Sequence, residues 1–231
     1  MYVLYNVKLM KKKKLIFWIV GLVVSVLIFA ITIPFAIFGV RSMSIDNKYS
    51  YLKDDEKYSL KIEIADVELV TQHISCGYAS IEMISSFYGN KVSEDDLSAK
   101  NNGNISTSSS AGFLNEINKS IPSYKFVKHS YLKNDKLLKE IHDSLNKNNP
   151  VAIEWAAKYE NEWTLHFSVV TGLDIKNDNV TINNPYGYIE NITVDEFISR
   201  TSFKAYKNIP FFLSFGFAFG AFEKNTIFFA C

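Results

Sequence analysis

The sequence predicts an α+β fold, with a helical part before an antiparallel sheet, behind one N-terminal transmembrane helix. Three observations predict it. Residues 15–40 contain no charged side chain, apolar residues recur at helical spacing through much of 77–145, and β-branched and aromatic runs separated by turn residues follow Pro150. Helices that precede a succession of short strands are typical of an α+β domain.

Residues 15–40 form an apolar segment of 26 residues. As a helix it would be ~39 Å long, which exceeds the ~30 Å hydrocarbon core of a bilayer. A cleaved signal peptide has an apolar region of only about 7–15 residues, so we expect an uncleaved signal anchor. Lysines at 11–14 precede the segment. The positive-inside rule therefore predicts a single-pass chain of the cell membrane, with residues 1–14 cytoplasmic and residues 41–231 outside.

Composition limits the function. The chain has 231 residues, of which 48% are hydrophobic, and a net charge of +1. Five of the 25 basic residues lie in 1–40, which leaves 20 basic against 24 acidic residues in 41–231. This balance provides no electrostatic footprint for nucleic acid. The two cysteines, Cys76 and Cys231, cannot form a disulfide framework, and no Cys/His spacing predicts a metal site. The sequence does not indicate an oligomeric state.

Two short segments follow the predicted anchor. Residues 41–60 are polar and charged without an apolar period, so we predict a juxtamembrane stalk there and a folded domain over 61–231. Residues 61–70 alternate between apolar and polar side chains. That alternation predicts a half-buried strand at the start of the domain.

Capping residues predict where the helices of the domain begin. A largely apolar helix over 77–88 is expected to be buried on most sides and to end at Gly89. Further helices are expected at the capping residues Ser93, Ser110, Asn134 and Thr193.

The strands of the predicted sheet lie in the second half of the chain. They are expected at 151–155, 165–172, 179–184 and 226–230. The stretch Ile209–Phe222 is apolar and rich in Gly and Phe, and it is too short to span a bilayer. We expect a buried closing segment, with docking at a membrane interface or on a partner as the alternatives.

Cys76 lies where the predicted 77–88 helix begins. Unpaired backbone N–H groups and the helix dipole favour a thiolate at that position. The alternative is a small apolar side chain that packs in the core, which is the usual role of a buried free cysteine. A nucleophilic cysteine requires a base within reach, and a histidine is the usual base.

The chain contains four histidines. His142 is expected on a solvated helix face and His129 at an exposed strand end, while His73 lies on the turn before Cys76. His166 is embedded in the apolar strand predicted at 165–172. A histidine in such a strand is either a core residue or a base.

Asn184 ends a predicted strand 18 residues after His166. Its amide oxygen is suited to accept the imidazole N–H, which would fix the tautomer and leave the other ring nitrogen to take a thiol proton. An ordinary turn before Pro185 is the alternative. Cysteine, histidine and asparagine in this order match the logic of cysteine peptidases.

Three motifs in this order resemble one family. The motifs are Cys76-Gly77-Tyr78-Ala79-Ser80, His166-Phe167-Ser168-Val169-Val170-Thr171-Gly172 and Asn184-Pro185-Tyr186-Gly187. From about Leu69 to Phe203 the chain resembles the papain-like cysteine peptidases that remove double-glycine leaders from bacteriocin precursors. It also resembles the bacteriocin-processing peptidase-like domains that occur outside those transporters.

The resemblance implies a papain-like fold with four site residues. Cys76 would be the nucleophile, His166 the general base and acid, Asn184 the residue that orients His166, and Gln72 an oxyanion-hole donor beside the Cys76 backbone N–H. The family usually has Asp where Asn184 stands, and its glutamine usually precedes the cysteine by more residues than Gln72 does. For Gln72 a turn-facing polar residue is the alternative.

The resemblance also implies a membrane-anchored thiol peptidase that cleaves a peptide or protein substrate through an acyl-enzyme, with no metal or organic cofactor. An acyltransferase or amide-forming enzyme of the same fold is one alternative. A non-catalytic module that binds a peptide or partner is another, and the presence of Cys76 favours an enzyme over it. The sequence contains no GxxxxGK[ST] run, so we do not expect the transporter itself.

Overall fold

The computed structural model describes the backbone of residues 2–231 and the side chains of residues 14–231. The side chains of the predicted cytoplasmic segment 1–14 therefore lie almost entirely outside the described residues. Contacts divide the chain into two compact units, residues 1–40 and 41–231.

Helix α1 spans Tyr2–Ser44, and its residues up to Val40 belong to the first unit. Its stretch Lys14–Ser44 has 31 residues, a mean hydropathy of 2.9 and no buried positions in its most apolar window. By length and composition it is one helix that could cross a membrane. A signal sequence near an N-terminus meets the same criterion. Membrane insertion and orientation therefore stay predictions.

The second unit is built on a seven-stranded antiparallel sheet. Its strands are β1 (Ile62–Glu63), β2 (Phe126–His129), β3 (Val151–Tyr159), β4 (Glu162–Asp174), β5 (Asn179–Asn184), β6 (Tyr188–Ile192) and β7 (Thr226–Ala230). The order is β2-β7-β3-β4-β5-β6, and β1 pairs with β4.

Six helices and one short 3-10 turn, Ser50–Asp54, surround this sheet. The helices are α2 (Cys76–Phe87), α3 (Glu94–Lys100), α4 (Ser110–Ser120), α5 (Asn134–Asn146), α6 (Val194–Thr201) and α7 (Phe211–Ala218). Four of them, α2–α5, precede β3–β7, which are five of the seven strands, as the sequence predicts. The α+β fold class is therefore confirmed.

Alternation along the strands creates two hydrophobic clusters. Ala152 of β3 packs in a cluster with side chains of α2, α3 and α4. Ile153 and Trp155 pack in the other, with side chains of α5 and α6. Successive residues of a strand project to opposite faces, so helices cover both faces of the sheet. Each large apolar side chain buried in this way contributes ~1.5–3 kcal/mol.

Two of the four predicted caps match the structure. Ser93 forms a capping box with Asp96, and the Thr193 hydroxyl accepts the backbone N–H of Glu196. For α4 the cap is Ser109, one residue before the predicted Ser110. For α5 the prediction of Asn134 as the cap is wrong. Asn134 is the first helical residue and accepts a hydrogen bond from the Asn225 amide instead.

The strand predicted over 61–70 is much shorter in the structure. Only Ile62–Glu63 pairs with β4. Asp66 has φ of 68°, a left-handed conformation that a strand cannot include. After it, the Asn183 side-chain amide donates to the Val67 carbonyl at 2.8 Å, which holds this stretch of backbone against β5.

The segment 41–60, predicted as a stalk, contacts the rest of its unit. Ile45 is 1% exposed and Leu52 is 0% exposed. The Tyr51 hydroxyl donates to Asp135 at 2.7 Å. The sequence concealed this packing, because a few isolated buried residues in a polar segment create no apolar period.

The apolar stretch Ile209–Phe222 includes α7, which has two apolar faces. Leu213 and Phe217 are buried, whereas Phe211, Phe212 and Phe219 are 76%, 70% and 55% exposed. The prediction of a buried closing segment is therefore wrong for the outer face. A single helix can turn only one face toward the core. The strand predicted after it is confirmed as β7, which lies between β2 and β3.

Candidate active site

Cys76 is the first residue of α2. The preceding Ser75 is extended, and its hydroxyl accepts the Tyr78 backbone N–H at 3.1 Å, which caps the helix. The Cys76 sulfur therefore lies at the positive end of the helix dipole. It lines a cavity of about 340 Å³ together with Gln72, His166 and Tyr186.

Only glycine fits at position 77, because Thr107 lies very close to its Cα. A Cβ at this position would lie 2.3 Å from Oγ1 and 2.5 Å from Cβ of Thr107. Thr107 is itself buried and also lines the cavity. The glycine after the cysteine therefore lets the 101–109 loop pack against the start of α2.

His166 on β4 and Asn184 at the end of β5 form a buried pair. Nε2 of His166 lies 2.9 Å from Oδ1 of Asn184. The same oxygen accepts the Tyr186 backbone N–H at 3.0 Å. Because Oδ1 is an acceptor, Nε2 carries the proton in the tautomer that this network assigns. Nδ1 of His166 is left with the free lone pair, as a base for a thiol requires.

Tyr186 covers this pair. Its ring stacks on the His166 imidazole with a centroid separation of 4.1 Å and an interplanar angle of 23°. Its hydroxyl lies 2.8 Å from Oγ1 of Thr164, which fixes the ring. A covering ring excludes water from the His166–Asn184 hydrogen bond and so strengthens it. The sequence includes Tyr186 in the motif Asn184-Pro185-Tyr186-Gly187, but no local pattern predicts that its ring covers His166.

Burial favours the neutral forms of the Cys76 thiol and the His166 imidazole. It raises the pKa of the Cys76 thiol, against the opposing effect of the backbone N–H groups of Phe167 and Gly77. It lowers the pKa of His166 to about 4, against the opposing effect of the bond to Asn184. The helix start alone favours a thiolate, but desolvation outweighs it here. The resting pair is therefore a thiol and a neutral imidazole.

Gln72 is tied to the turn that follows Asn184. Its backbone N–H donates to the Pro185 carbonyl at 2.8 Å. Its side chain lines the same cavity as Cys76, and its Oε1 is buried without a partner among the described residues. The structure thus brings the four predicted residues together: Gln72, Cys76 and His166 line the cavity, and Asn184 lies behind His166. Their catalytic roles stay predictions.

Glu94 organises the loop that joins Gln72 to Cys76. Its fully buried carboxylate accepts three consecutive backbone N–H groups, from His73 at 3.0 Å, Ile74 at 3.0 Å and Ser75 at 2.8 Å. Charge-assisted bonds of this kind are the strong ones. In the sequence nothing distinguishes Glu94 from the two acids that follow it.

Glu154 is a second buried carboxyl close to the site. It lies on β3, it is 0% exposed, and it accepts a hydrogen bond from the Ser110 hydroxyl. Burial raises its pKa to about 8, so it is largely protonated at neutral pH. When ionised, its charge raises the pKa of Cys76. In the sequence Glu154 is only a single acid in an apolar strand, which does not predict its influence on Cys76.

The other histidines serve elsewhere. His73 bonds through its two ring nitrogens to Glu94 and Asp95. His129 is exposed, as predicted, and contacts Glu140. His142 is 1% exposed and contacts the Leu60 carbonyl, so the prediction of a solvated face is wrong. Residues 41–60 cover the helix face that carries it. Among the described residues, no group of three His, Cys, Asp or Glu side chains could hold a metal ion.

An antiparallel sheet, a cysteine at the start of a packed helix and a His–Asn pair on neighbouring strands together define a papain-like fold. A family model described as the Peptidase_C39 like family matches residues 64–211, and the chain belongs to that family. The resemblance inferred from the three motifs is thus confirmed.

Among solved structures, the chain is similar to the crystal structure of a double glycine motif protease from an AMS/PCAT transporter in complex with the leader peptide. The two chains share 17% sequence identity with a TM-score of 0.48, over 74% of this chain and 98% of the other. A search of curated proteins found no match.

Proposed function

We propose that the protein is a cysteine peptidase that cleaves peptide bonds through an acyl-enzyme on Cys76. One observation carries the proposal. The His166 imidazole donates through Nε2 to Asn184, keeps Nδ1 free, and lines one cavity with the Cys76 thiol. A base with a fixed tautomer beside a thiol at a helix start is the arrangement that nucleophilic catalysis requires. Membership in a peptidase-like family agrees with it.

In the proposed mechanism the thiol is deprotonated as it attacks. Nδ1 of His166 takes the Cys76 proton while the sulfur forms a bond to the substrate carbonyl carbon. The carbonyl oxygen becomes an oxyanion, for which the Cys76 backbone N–H and the Gln72 side-chain amide are the proposed donors. His166 then gives its proton to the leaving amine as the C–N bond breaks. Water, deprotonated by His166, finally hydrolyses the thioester and restores the thiol.

We also infer that residues 15–40 anchor the protein in the cell membrane with residues 41–231 outside. The support is the length and hydropathy of α1 and the lysine cluster before the apolar stretch. Treatment of intact cells with an added protease tests this orientation. Digestion of 41–231 is the expected result, and full protection that is lost only after lysis would contradict it.

The activity is tested with the full chain in detergent. The first substrate is p-nitrophenyl acetate, whose ester needs no peptide specificity, and the second is a combinatorial peptide library read by mass spectrometry. Wild type is expected to release p-nitrophenolate and to cut peptides, and Cys76→Ala to do neither. Cys231→Ser is the matched thiol control and should behave as wild type. Equal activity of wild type and Cys76→Ala would overturn the proposal.

The same assay separates hydrolysis from acyl transfer. Free acetate and cut peptides indicate a peptidase. Acetyl-glycinamide formed in preference to acetate, when glycinamide is added, indicates that the acyl-enzyme passes to amines instead. Peptide binding without any turnover indicates a binding module.

A further inference from the structure

Besides the neutral His166 imidazole, the Asn184 amide has a second side-chain partner, and this one is charged. Its Nδ2 donates to Oε2 of Glu190 at 2.9 Å, while its Oδ1 faces Nε2 of His166. Amide oxygen and nitrogen can be told apart only through their partners. A carboxylate accepts and never donates, so Glu190 holds the NH₂ end of the Asn184 amide, while the Tyr186 backbone N–H holds its oxygen end toward the imidazole.

The sheet brings these two side chains together. Asn184 of β5 pairs with Tyr188 of β6. Glu190 stands two residues further along β6 and therefore projects from the same face. Such diagonal neighbours on adjacent strands lie within reach of a long side chain. The turn 185–187 places β6 beside β5 in this register.

Arg200 of α6 holds the Glu190 carboxylate from the other side. Its guanidinium donates to Oε1 of Glu190 at 2.5 Å and also to Glu196. It lies over the rings of Trp155 and Trp163, at 5.1 Å and 5.6 Å from their centroids. The side chains of Arg200 and Glu190 are 9% and 14% exposed. Each Glu190 oxygen thus has its own partner in a mostly dry environment.

From these contacts we propose that Glu190 is a positioning residue that orients the Asn184 amide. It also supplies a negative charge behind Asn184, whereas an aspartate at position 184 would place that charge in direct contact with the histidine. The proposal rests on the proposed function, because it concerns the base of that reaction. No proton moves from His166 through Asn184 to Glu190. The carboxylate polarises the amide, so that Oδ1 stabilises the imidazolium formed when His166 takes the thiol proton.

This arrangement also accounts for an asparagine at position 184. A carboxylate there would face the Glu190 carboxylate with no donor between them. Two adjacent carboxylates disfavour each other's ionisation. The amide avoids this because it accepts on the histidine side and donates on the glutamate side.

The first test measures the rate of p-nitrophenolate release by the full chain in detergent. Glu190→Gln is expected to lower kcat about tenfold and to leave KM unchanged. Losses of this size are typical when a residue that orients a site residue through a hydrogen bond is replaced. Asn184→Asp is expected to lose at least as much. The double variant Asn184→Asp/Glu190→Gln exchanges charge and amide between the two positions, and it should recover most of the rate that Asn184→Asp loses. Additive losses would overturn the proposal.

The second test does not depend on turnover. Long-range 1H–15N spectra of the full chain, assigned by comparison with His166→Gln, report the tautomer of His166 at neutral pH. Wild type should show the Nε2–H form alone, and Glu190→Ala a mixture with the Nδ1–H form. An unchanged tautomer in a folded Glu190→Ala variant would overturn the proposal.

Glu196→Gln is the matched control, because Glu196 also pairs with Arg200 but does not contact Asn184. It should leave both rate and tautomer unchanged. If Glu196→Gln lowered the rate as much as Glu190→Gln does, or produced the same mixture of tautomers as Glu190→Ala, Arg200 would be the important residue and the proposal would be wrong. Absence of any Cys76-dependent release in wild type would refute the proposed function, while the tautomer would still test the role of Glu190.

Discussion

Glu94 accepts the backbone N–H of Ser75 at 2.8 Å and so fixes the residue that directly precedes Cys76. The same buried carboxylate accepts hydrogen bonds from the backbone N–H groups of His73 and Ile74. One buried carboxylate thus holds all three residues that separate Gln72 from Cys76. The short spacing between Gln72 and Cys76 is thereby compatible with both side chains lining one cavity.

Replacement of Glu94 should therefore weaken both folding and the site. In Glu94→Gln the new NH₂ group faces a backbone N–H that it cannot accept, which should lower the free energy of unfolding by ~1–3 kcal/mol. Release of p-nitrophenolate should fall as well. The control is Asp95→Asn, since the Asp95 side chain is 81% exposed and contacts only the exposed His73 ring. Equal behaviour of the two variants would contradict this role.

Gly77→Ala should disturb the start of α2. The added methyl group would lie 2.3 Å from Oγ1 of the buried Thr107, so one of the two backbones must move. Overpacking of this kind typically costs ~1–3 kcal/mol. Urea unfolding of the full chain measures it. Thr107→Gly combined with Gly77→Ala should recover part of the loss, because the two positions are in contact. Strict additivity of the two changes would show that the contact is not the cause.

Glu154 should make stability depend on pH. Its pKa is about 8 in the folded protein against an ordinary 4.5, so the folded state holds a proton that the unfolded state releases between these values. Stability from this group is full below pH 4.5, falls as pH rises, and is constant again above about pH 8.

Glu154→Gln removes that dependence and keeps the acceptor for the Ser110 hydroxyl. The variant should match wild type near pH 4.5 and exceed it by up to roughly 5 kcal/mol near pH 8. Denaturant titrations of both proteins at several pH values measure the difference, in which all other groups cancel. A difference that does not change with pH would refute the assignment.

Cys76 should react slowly with iodoacetamide at neutral pH. Burial raises the pKa of its thiol and lowers the pKa of His166 to about 4, so no ion pair is populated at rest. In a Cys231→Ser chain the folded protein should therefore be alkylated more slowly at pH 7 than the same chain in urea, where the thiol has its ordinary pKa of about 8.5. The folded rate should keep rising with pH. A rate plateau between pH 5 and 7 would reveal a thiolate–imidazolium pair instead.

The sequence predicted three residues of the candidate site because each lies in a local pattern. Cys76 begins a recognisable helix, His166 is the one histidine inside an apolar strand, and Asn184 stands at a strand end before a turn. Periodicity and capping chemistry are local properties of the chain, which is why the fold class and the three motifs could be read from it. The uncharged length of 15–40 likewise predicts a membrane segment from composition alone.

Only the tertiary structure revealed the residues that support this site. Glu94, Glu154 and Glu190 are ordinary acids in the sequence, and each gains its role from partners that are distant along the chain. Their charges depend on burial and on hydrogen-bond donors contributed by other elements, which no local pattern encodes. The protonation of Cys76 was decided in the same way. The helix start favours a thiolate, whereas burial within the fold raises the pKa of the Cys76 thiol.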